Sequence, residues 1–314
     1  MRANRNAEKH DNQIVFDGGS DVGGFSVISR QVACEGPNQS ILIHHWSRSF
    51  VLDSLTSILN RRYLVLRQQY RHAQALWASR GLEESDLPSP RFVLFGRGRS
   101  GTTALISMLG SVPALECEGE ILHDWVPFPH RHVLGRSARA AAPGYGCKIL
   151  SYQIRDVQTR LSHPDDFLRR LHEENGFQIL YLRRKNLLRH ALSNIRARRE
   201  QFHRKKGEGN ARPALHVDPE HVLDWMCSSE ALSTYEDQLL RDVPHLSLTY
   251  EAHIRDPSQH QDTIDLICDF LGVETASVES PYEKIAPRSL REGVSNYGEL
   301  ARRLRETPYA QYLE

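Results

Sequence analysis

The chain has 314 residues, 39% of them hydrophobic and 25% charged, long enough to bury a large core as one α/β domain or two small ones. A formal net charge of +1 excludes whole-molecule attraction to nucleic acid or to a membrane surface and leaves any electrostatic function to local clusters. Five scattered cysteines (Cys34, Cys117, Cys147, Cys227, Cys268) never pair as CxxC, which argues against a disulfide scaffold or a thiolate zinc site and for free thiols in a reducing compartment.

In chain order, Met1 to Asn12 is polar, with no apolar h-region. No window approaches the ~20 apolar residues that span a bilayer, and a cytoplasmic location is expected. Residues 1 to about 40 are weakly patterned, with glycines at 18–19 and 23–24. From Ser47 to Arg80 the spacing of Val51, Leu52, Leu55, Ile58, Leu59, Tyr63 and Leu66 predicts a helix. A polar stretch from Glu83 to Pro90 reads as a linker, so residues 1–90 form a partly helical N-terminal extension and 91–314 the main domain. Strands are predicted at Arg91–Phe95, Cys147–Ser151, Phe177–Leu182 and His245–Thr249. Helices are predicted at Gly101–Gly110, Pro164–Asn175, Asn186–Phe202, Pro219–Leu240 and Ser258–Leu271, the last closed by Gly272. Strands alternating with helices predict an α/β fold of three layers, P-loop-like, with a mostly parallel central sheet.

Between the first strand and its helix lies Gly96-Arg-Gly-Arg-Ser-Gly-Thr-Thr103. Glycines let successive N–H groups turn inward as an anion nest, and the next helix adds its N-terminal N–H groups and dipole. Ser100, Thr102 and Thr103 supply hydroxyl donors, and Arg97 and Arg99 supply charge-assisted bonds to an oxyanion. The Gly96-x4-Gly101 spacing matches a nucleotide-triphosphate loop, but Thr102 stands where that pattern has Lys. Its loss argues against γ-phosphate transfer and leaves a phosphate cradle.

Arg97-Gly98-Arg99-Ser100-Gly101-Thr102-Thr103 resembles the 5′-phosphosulfate-binding loop of sulfotransferases that use 3′-phosphoadenosine-5′-phosphosulfate. That resemblance implies a second anion site for the donor's 3′-phosphate. The run Tyr181-Leu-Arg-Arg-Lys-Asn-Leu-Leu-Arg-His-Ala-Leu-Ser193 is similar to the variant seen in bacterial carbohydrate sulfotransferases, including the nodulation-factor type. It assigns the 3′-phosphate to Arg183 or Arg184, with Ser193 donating from the helix. It also implies a general base near Glu116-Cys-Glu-Gly-Glu120, with Glu120 matching best and Glu118 and His123 in reserve. Lys148 then faces the active-site cleft, or else reaches solvent at a strand edge. The runs Leu248–Pro257 and Asp269–Val273 resemble further family segments without carrying chemistry, and Ser289–Leu300 the terminal segment that covers the nucleotide. The implied reaction moves a sulfuryl group to a hydroxyl of a small molecule, carbohydrate or glycolipid.

Two other readings stand beside this one. A small-molecule kinase shares the P-loop-like sheet and needs magnesium. The run from Arg183 to Lys206, ten Lys and Arg against one Glu, raises RNA binding, but it carries one aromatic residue, Phe202, and no RNA-binding motif, so no nucleic-acid partner is expected. The pairs His44-His45 and His130-Arg-His132 fit no metal-ligand spacing, and they are expected as loop or surface histidines with no metal.

Overall fold

The computed structural model describes residues 66, 68–161, 163–200, 213–279 and 289–313. The expectations for residues 1–65, with Cys34 and His44-His45, lie outside the described residues, as do Phe202 and the basic residues around 204–206.

Five strands pair entirely in parallel in the order β2-β3-β1-β4-β5: β1 (Arg91–Gly96), β2 (Leu115–Glu120), β3 (Gly144–Leu150), β4 (Gln178–Arg183) and β5 (His245–Thr249). Helices cover both faces. Residues 68–78 form α1, followed by α2 (Thr102–Leu109), α3 (Pro129–Ser137), α4 (Phe167–Glu173), α5 (Leu187–Glu200), α6 (Pro219–Leu240), α7 (His260–Leu271), α8 (Leu290–Gly293) and α9 (Tyr297–Arg305). The expected three-layer α/β architecture is present.

Strand side chains alternate between the faces. Val93, Phe95, Cys147, Ile149, Ile179 and Tyr181 pack under α3, α4 and the end of α6. Phe92, Leu94, Leu180, Leu182 and Leu248 pack under α2 and α7 through Leu105, Leu109, Ile264 and Ile267. A third cluster joins α5 to the start of α6 and to α8 and α9, through Leu188, Ala191, Val222, Met226, Leu290 and Leu300. Ser289–Leu300 therefore packs on α5 and α6, and Asn296 bonds both backbone groups of Val217, at 3.1 and 2.7 Å.

Two elements differ from expectation. Leu115–Glu120, a carboxylate-rich stretch in which no strand was expected, is the edge strand β2. The His130-Arg-His132 segment is not a surface loop: it lies in α3, with His132 buried. Burial pushes the His132 imidazole down to about 4, with neighbouring His72 and Arg136 adding to the effect.

Sequential connections place β2 and β3 on one side of β1, then cross to β4 and β5 on the other. The chain leaving β1 and the chain leaving β4 thus part in opposite directions from adjacent strands. The crevice at the carboxyl ends of such a pair is where open α/β sheets place ligands.

Candidate functional site

The loop Arg97–Gly101 leaves β1 at this switch point. Its two ends demand glycine for different reasons. A Cβ on Gly96 would stand 2.3 Å from the Leu182 carbonyl oxygen of β4. Gly101 has φ 92°, and a Cβ there would meet Ile254 Cγ2 at 2.9 Å and Tyr250 Cδ2 at 3.0 Å. Between them Arg99 takes φ 64°, a left-handed conformation that costs an L-residue roughly 1–2 kcal/mol and persists only where its surroundings hold it.

The surroundings are specific. Arg184, at the end of β4, is buried, donates from Nη1 to the Arg99 carbonyl at 3.3 Å and lies 4.4 Å over the Tyr250 ring. His190, one turn into α5, bonds through Nε2 to the Gly98 carbonyl at 2.7 Å, its ring edge-on to Trp225. Because a carbonyl only accepts, the proton sits on Nε2. Complete burial, with Arg97, Arg184 and Arg99 nearby, holds that imidazole neutral, far below its usual range.

Arg97 has a different setting from the one expected. Its Nη1 donates to the Ser229 carbonyl at 2.8 Å and to the Ser229 hydroxyl, and its Nε lies 3.3 Å from Glu236. Glu236 is fully buried in α6 and also accepts from Ser151 Oγ at 2.7 Å and Tyr181 Oη at 2.8 Å. The Arg97 guanidinium is thus committed to α6, and its charge is matched there. Burial raises the Glu236 carboxyl, with Arg97 opposing.

The second predicted segment meets the first. Arg184 reaches the loop, whereas Arg183 is exposed on the last residue of β4. Ser193 is half-buried, one turn beyond His190 on α5. The start of α5 is held by Glu251, which accepts from the backbone N–H of Lys185 and of Asn186, each at 3.0 Å. Tyr250 and Glu251, in the segment expected to carry no chemistry, therefore both border the site. Arg184 feels repulsion from Arg189 and Arg99, and Arg189 from Arg255, each adding to the desolvation that lowers these guanidinium groups. Clustered positive charge of this kind favours an anion. Ser100 Oγ, Arg184 Nε and His190 Nδ1 are buried and make no hydrogen bond among the described residues. The Ser100 hydroxyl and the Arg184 Nε–H, two donors beside a glycine nest, suit an oxyanion or phosphate-bearing ligand.

A carboxylate cluster lies on the β2–β3 side of α2. Glu120 ends β2 opposite Lys148 of β3, and Lys148 Nζ lies 3.0 Å from Glu120 Oε1 and donates to Thr103 Oγ1 at 3.0 Å. Lys148 is buried on the α2 face beside Leu94, and Glu120 satisfies the need of a buried ammonium for an anionic partner. Gln153 Nε2 donates to Glu120 Oε2 at 2.9 Å, Tyr152 Oη at 3.4 Å, and His123 Nδ1 stands 4.0 Å away and exposed. Glu118 is directed elsewhere: Arg136 binds it at two points and Tyr145 Oη donates to it at 2.8 Å. Thr103, on the first turn of α2, belongs to both the anion loop and this cluster. Thr102 beside it is buried.

Sequence reasoning missed His190, Glu236, Ser229, Tyr250 and Gln153. Only His190 and Tyr250 stood inside segments already singled out; nothing in α6 marked Glu236 as different from a surface carboxylate.

No protein-family model matches the chain, and no curated protein matches it. Among solved structures it is similar to a sulfotransferase from Alicyclobacillus acidocaldarius, at 17% identity and a TM-score of 0.40, over 70% of this chain and 96% of that one. A likeness of that degree leaves function to be read from the residues themselves.

Proposed function

We propose that the chain is a sulfotransferase that moves a sulfuryl group from 3′-phosphoadenosine-5′-phosphosulfate to the hydroxyl of a small-molecule or carbohydrate acceptor. The observation that carries this is the meeting of two oxyanion-binding segments, Arg97–Thr103 and Arg184–Ser193, at the sheet's switch point. The resemblance of both segments to the donor-binding signature of such enzymes gives the anion its identity. Thr102 in place of the lysine of triphosphate loops points away from a kinase.

In this reading the backbone N–H groups of the loop, Ser100, Thr102 and Thr103 hold the 5′-phosphosulfate, with Arg99 supplying charge. Arg184 and Ser193 take the 3′-phosphate, and Arg183, being exposed, has at most an outer role. Arg97 acts as a strut through Glu236. The donor supplies an electrophilic sulfur and a phosphate leaving group. Glu120 accepts the proton of the acceptor hydroxyl as its oxygen bonds to sulfur. The sulfur–oxygen bond to the phosphate breaks, and its electron pair stays on the phosphate oxygen. Lys148, bridging Glu120 and Thr103, holds the base beside the loop, where positive charge stabilises the leaving oxygen. His123, exposed and 4.0 Å from Glu120, lies beyond hydrogen-bond reach of the base and takes no direct part in the transfer.

Incubation of the protein with radiolabelled donor and a panel of sugars, glycolipids and phenols tests the reading. Label should pass to at least one hydroxyl acceptor, with full activity in the presence of a metal chelator. Failure of the label to leave the donor with any acceptor class, together with magnesium-dependent phosphate transfer from ATP, would overturn it.

A further inference from the structure

Three consecutive loop residues are gripped from behind by three different elements: Arg97 by Glu236 and Ser229 of α6, the Gly98 carbonyl by His190 of α5, and the Arg99 carbonyl by Arg184 at the end of β4. We propose that His190 and Glu236 are positioning residues of the anion cradle, holding the loop so that its N–H groups rather than its carbonyls meet the oxyanion. The proposal rests on the reading of the loop as an oxyanion site.

The geometry of the peptide unit supplies the reason. In a trans peptide the carbonyl of one residue and the N–H of the next point in opposite directions. A Gly98 carbonyl turned to His190 therefore turns the Arg99 N–H away from α5. A carbonyl left to face the site would repel an anion; committed to an imidazole N–H, it cannot. Arg99 is also the loop's one non-glycine residue in the left-handed region, and the carbonyls on both sides of its Cα are the two that His190 and Arg184 hold. Backbone held in that region by its neighbours is how an anion nest is made.

His190 is suited to this task as a lysine or arginine would not be. It is fully buried among Arg97, Arg99 and Arg184, where a further cation would be repelled, and a neutral imidazole donates one N–H without adding charge. Glu236 complements it. By taking the Arg97 guanidinium into a buried network with Ser151 and Tyr181, it fixes the first loop residue to the sheet and to α6. Both groups act on the ligand through the loop and not by touching it.

The test is titration calorimetry of full-length protein with adenosine 3′,5′-bisphosphate, alongside thermal melting of each variant. His190→Phe keeps ring volume and removes the donor; His190→Gln keeps an N–H that can reach the same carbonyl. We expect folded His190→Phe to bind roughly tenfold or more weakly and His190→Gln to recover most of that loss. Equal binding by His190→Phe and wild type, or equal weakening by both variants, would overturn the role of His190. Glu236→Gln, with the same shape and no charge, provides the second arm should His190→Phe fail to fold. A several-fold weaker bisphosphate with the fold retained is expected, and unchanged affinity in the folded variant overturns the role of Glu236. Wild-type protein that binds neither the bisphosphate nor inorganic sulfate would instead remove the oxyanion reading of the loop itself.

Discussion

Arg184 and Glu120 show how differently two charged side chains can be placed within one site. Arg184 is buried, stacked on Tyr250 and bonded to the loop backbone, with its Nε making no hydrogen bond among the described residues. A charge-assisted hydrogen bond to a phosphate contributes about 1.5–3 kcal/mol. Arg184→Ala is therefore expected to weaken bisphosphate binding by roughly 10- to 100-fold, read by calorimetry, whereas Arg183→Ala, at an exposed position, should change it little. Equal losses in the two variants would contradict the assignment. Glu120 is instead part-exposed and shared by Lys148, Gln153 and Tyr152. Burial pushes the Tyr152 phenol up to about 12, with the Glu120 charge adding to it, so that phenol stays protonated and serves as a donor to the carboxylate. Glu120→Gln should lower kcat by roughly 10²–10⁴ and leave donor affinity within a few-fold, as steady-state rates and binding measured on one preparation would show. A folded Glu120→Gln enzyme with full turnover would move the base elsewhere.

At the level of elements, the loop between β1 and α2 depends on Gly101 more than on any side chain. A methyl group there meets Ile254 and Tyr250 at 3.0 Å or less, on a backbone at φ 92°. Gly101→Ala is expected to destabilise by more than the roughly 1–2 kcal/mol that the left-handed conformation alone costs, seen as a lowered urea midpoint with unchanged slope. Gly98→Ala, where the added methyl meets only Leu150 Cδ1 at 3.8 Å, should cost much less. This loop was legible in the sequence because its signal is local: an apolar strand, glycines, hydroxyls and an apolar helix in immediate succession. Strand β2 was not. Glutamate is disfavoured in strands, and Leu115–Glu120 carries three of them, yet each carboxylate finds a partner far along the chain. Glu116 accepts from the Ala141 N–H at 2.6 Å, Glu118 from Arg136 and Tyr145, and Glu120 from Lys148 and Gln153. Helix α3 was hidden for a related reason: its sequence, Pro-His-Arg-His-Val-Leu-Gly-Arg-Ser, has little apolar periodicity, and its buried face is made by Val133, His132 and a close approach of Gly135 to the Ala75 carbonyl of α1. The strut from Arg97 to Glu236 joins residues that no local pattern connects.

Across the whole molecule, the three-layer α/β architecture followed from the alternation of strands and helices, whereas the switch point depends on the strand order, which alternation leaves open, and it puts the two anion segments side by side. Stability should carry the mark of the buried imidazoles. His132 sits at about 4 in the folded chain, and His190 is held well below its usual range, against about 6.5 unfolded. Between those values the unfolded chain binds protons that the folded chain refuses, so stability present above pH 6.5 is lost as pH falls. Glu236, raised in the folded chain, works in the opposite sense, losing stability as pH rises above its unfolded value. The comparison of wild type with His132→Gln isolates the histidine. Wild-type melting temperature should drop more than that of the variant between pH 7 and pH 5, and parallel profiles would contradict the burial of His132 as the cause.

In the proposed function, one nucleotide is held at its two phosphates by Arg97–Thr103 and Arg184–Ser193. Thermal melting with adenosine 3′,5′-bisphosphate and with ADP, at one matched concentration, tests this most directly, since a ligand that prefers the folded state raises the melting temperature further the more tightly it binds. The bisphosphate should stabilise the protein more than ADP does, and the difference should shrink in Arg184→Ala. Equal stabilisation by ADP, or none by the bisphosphate, would contradict it.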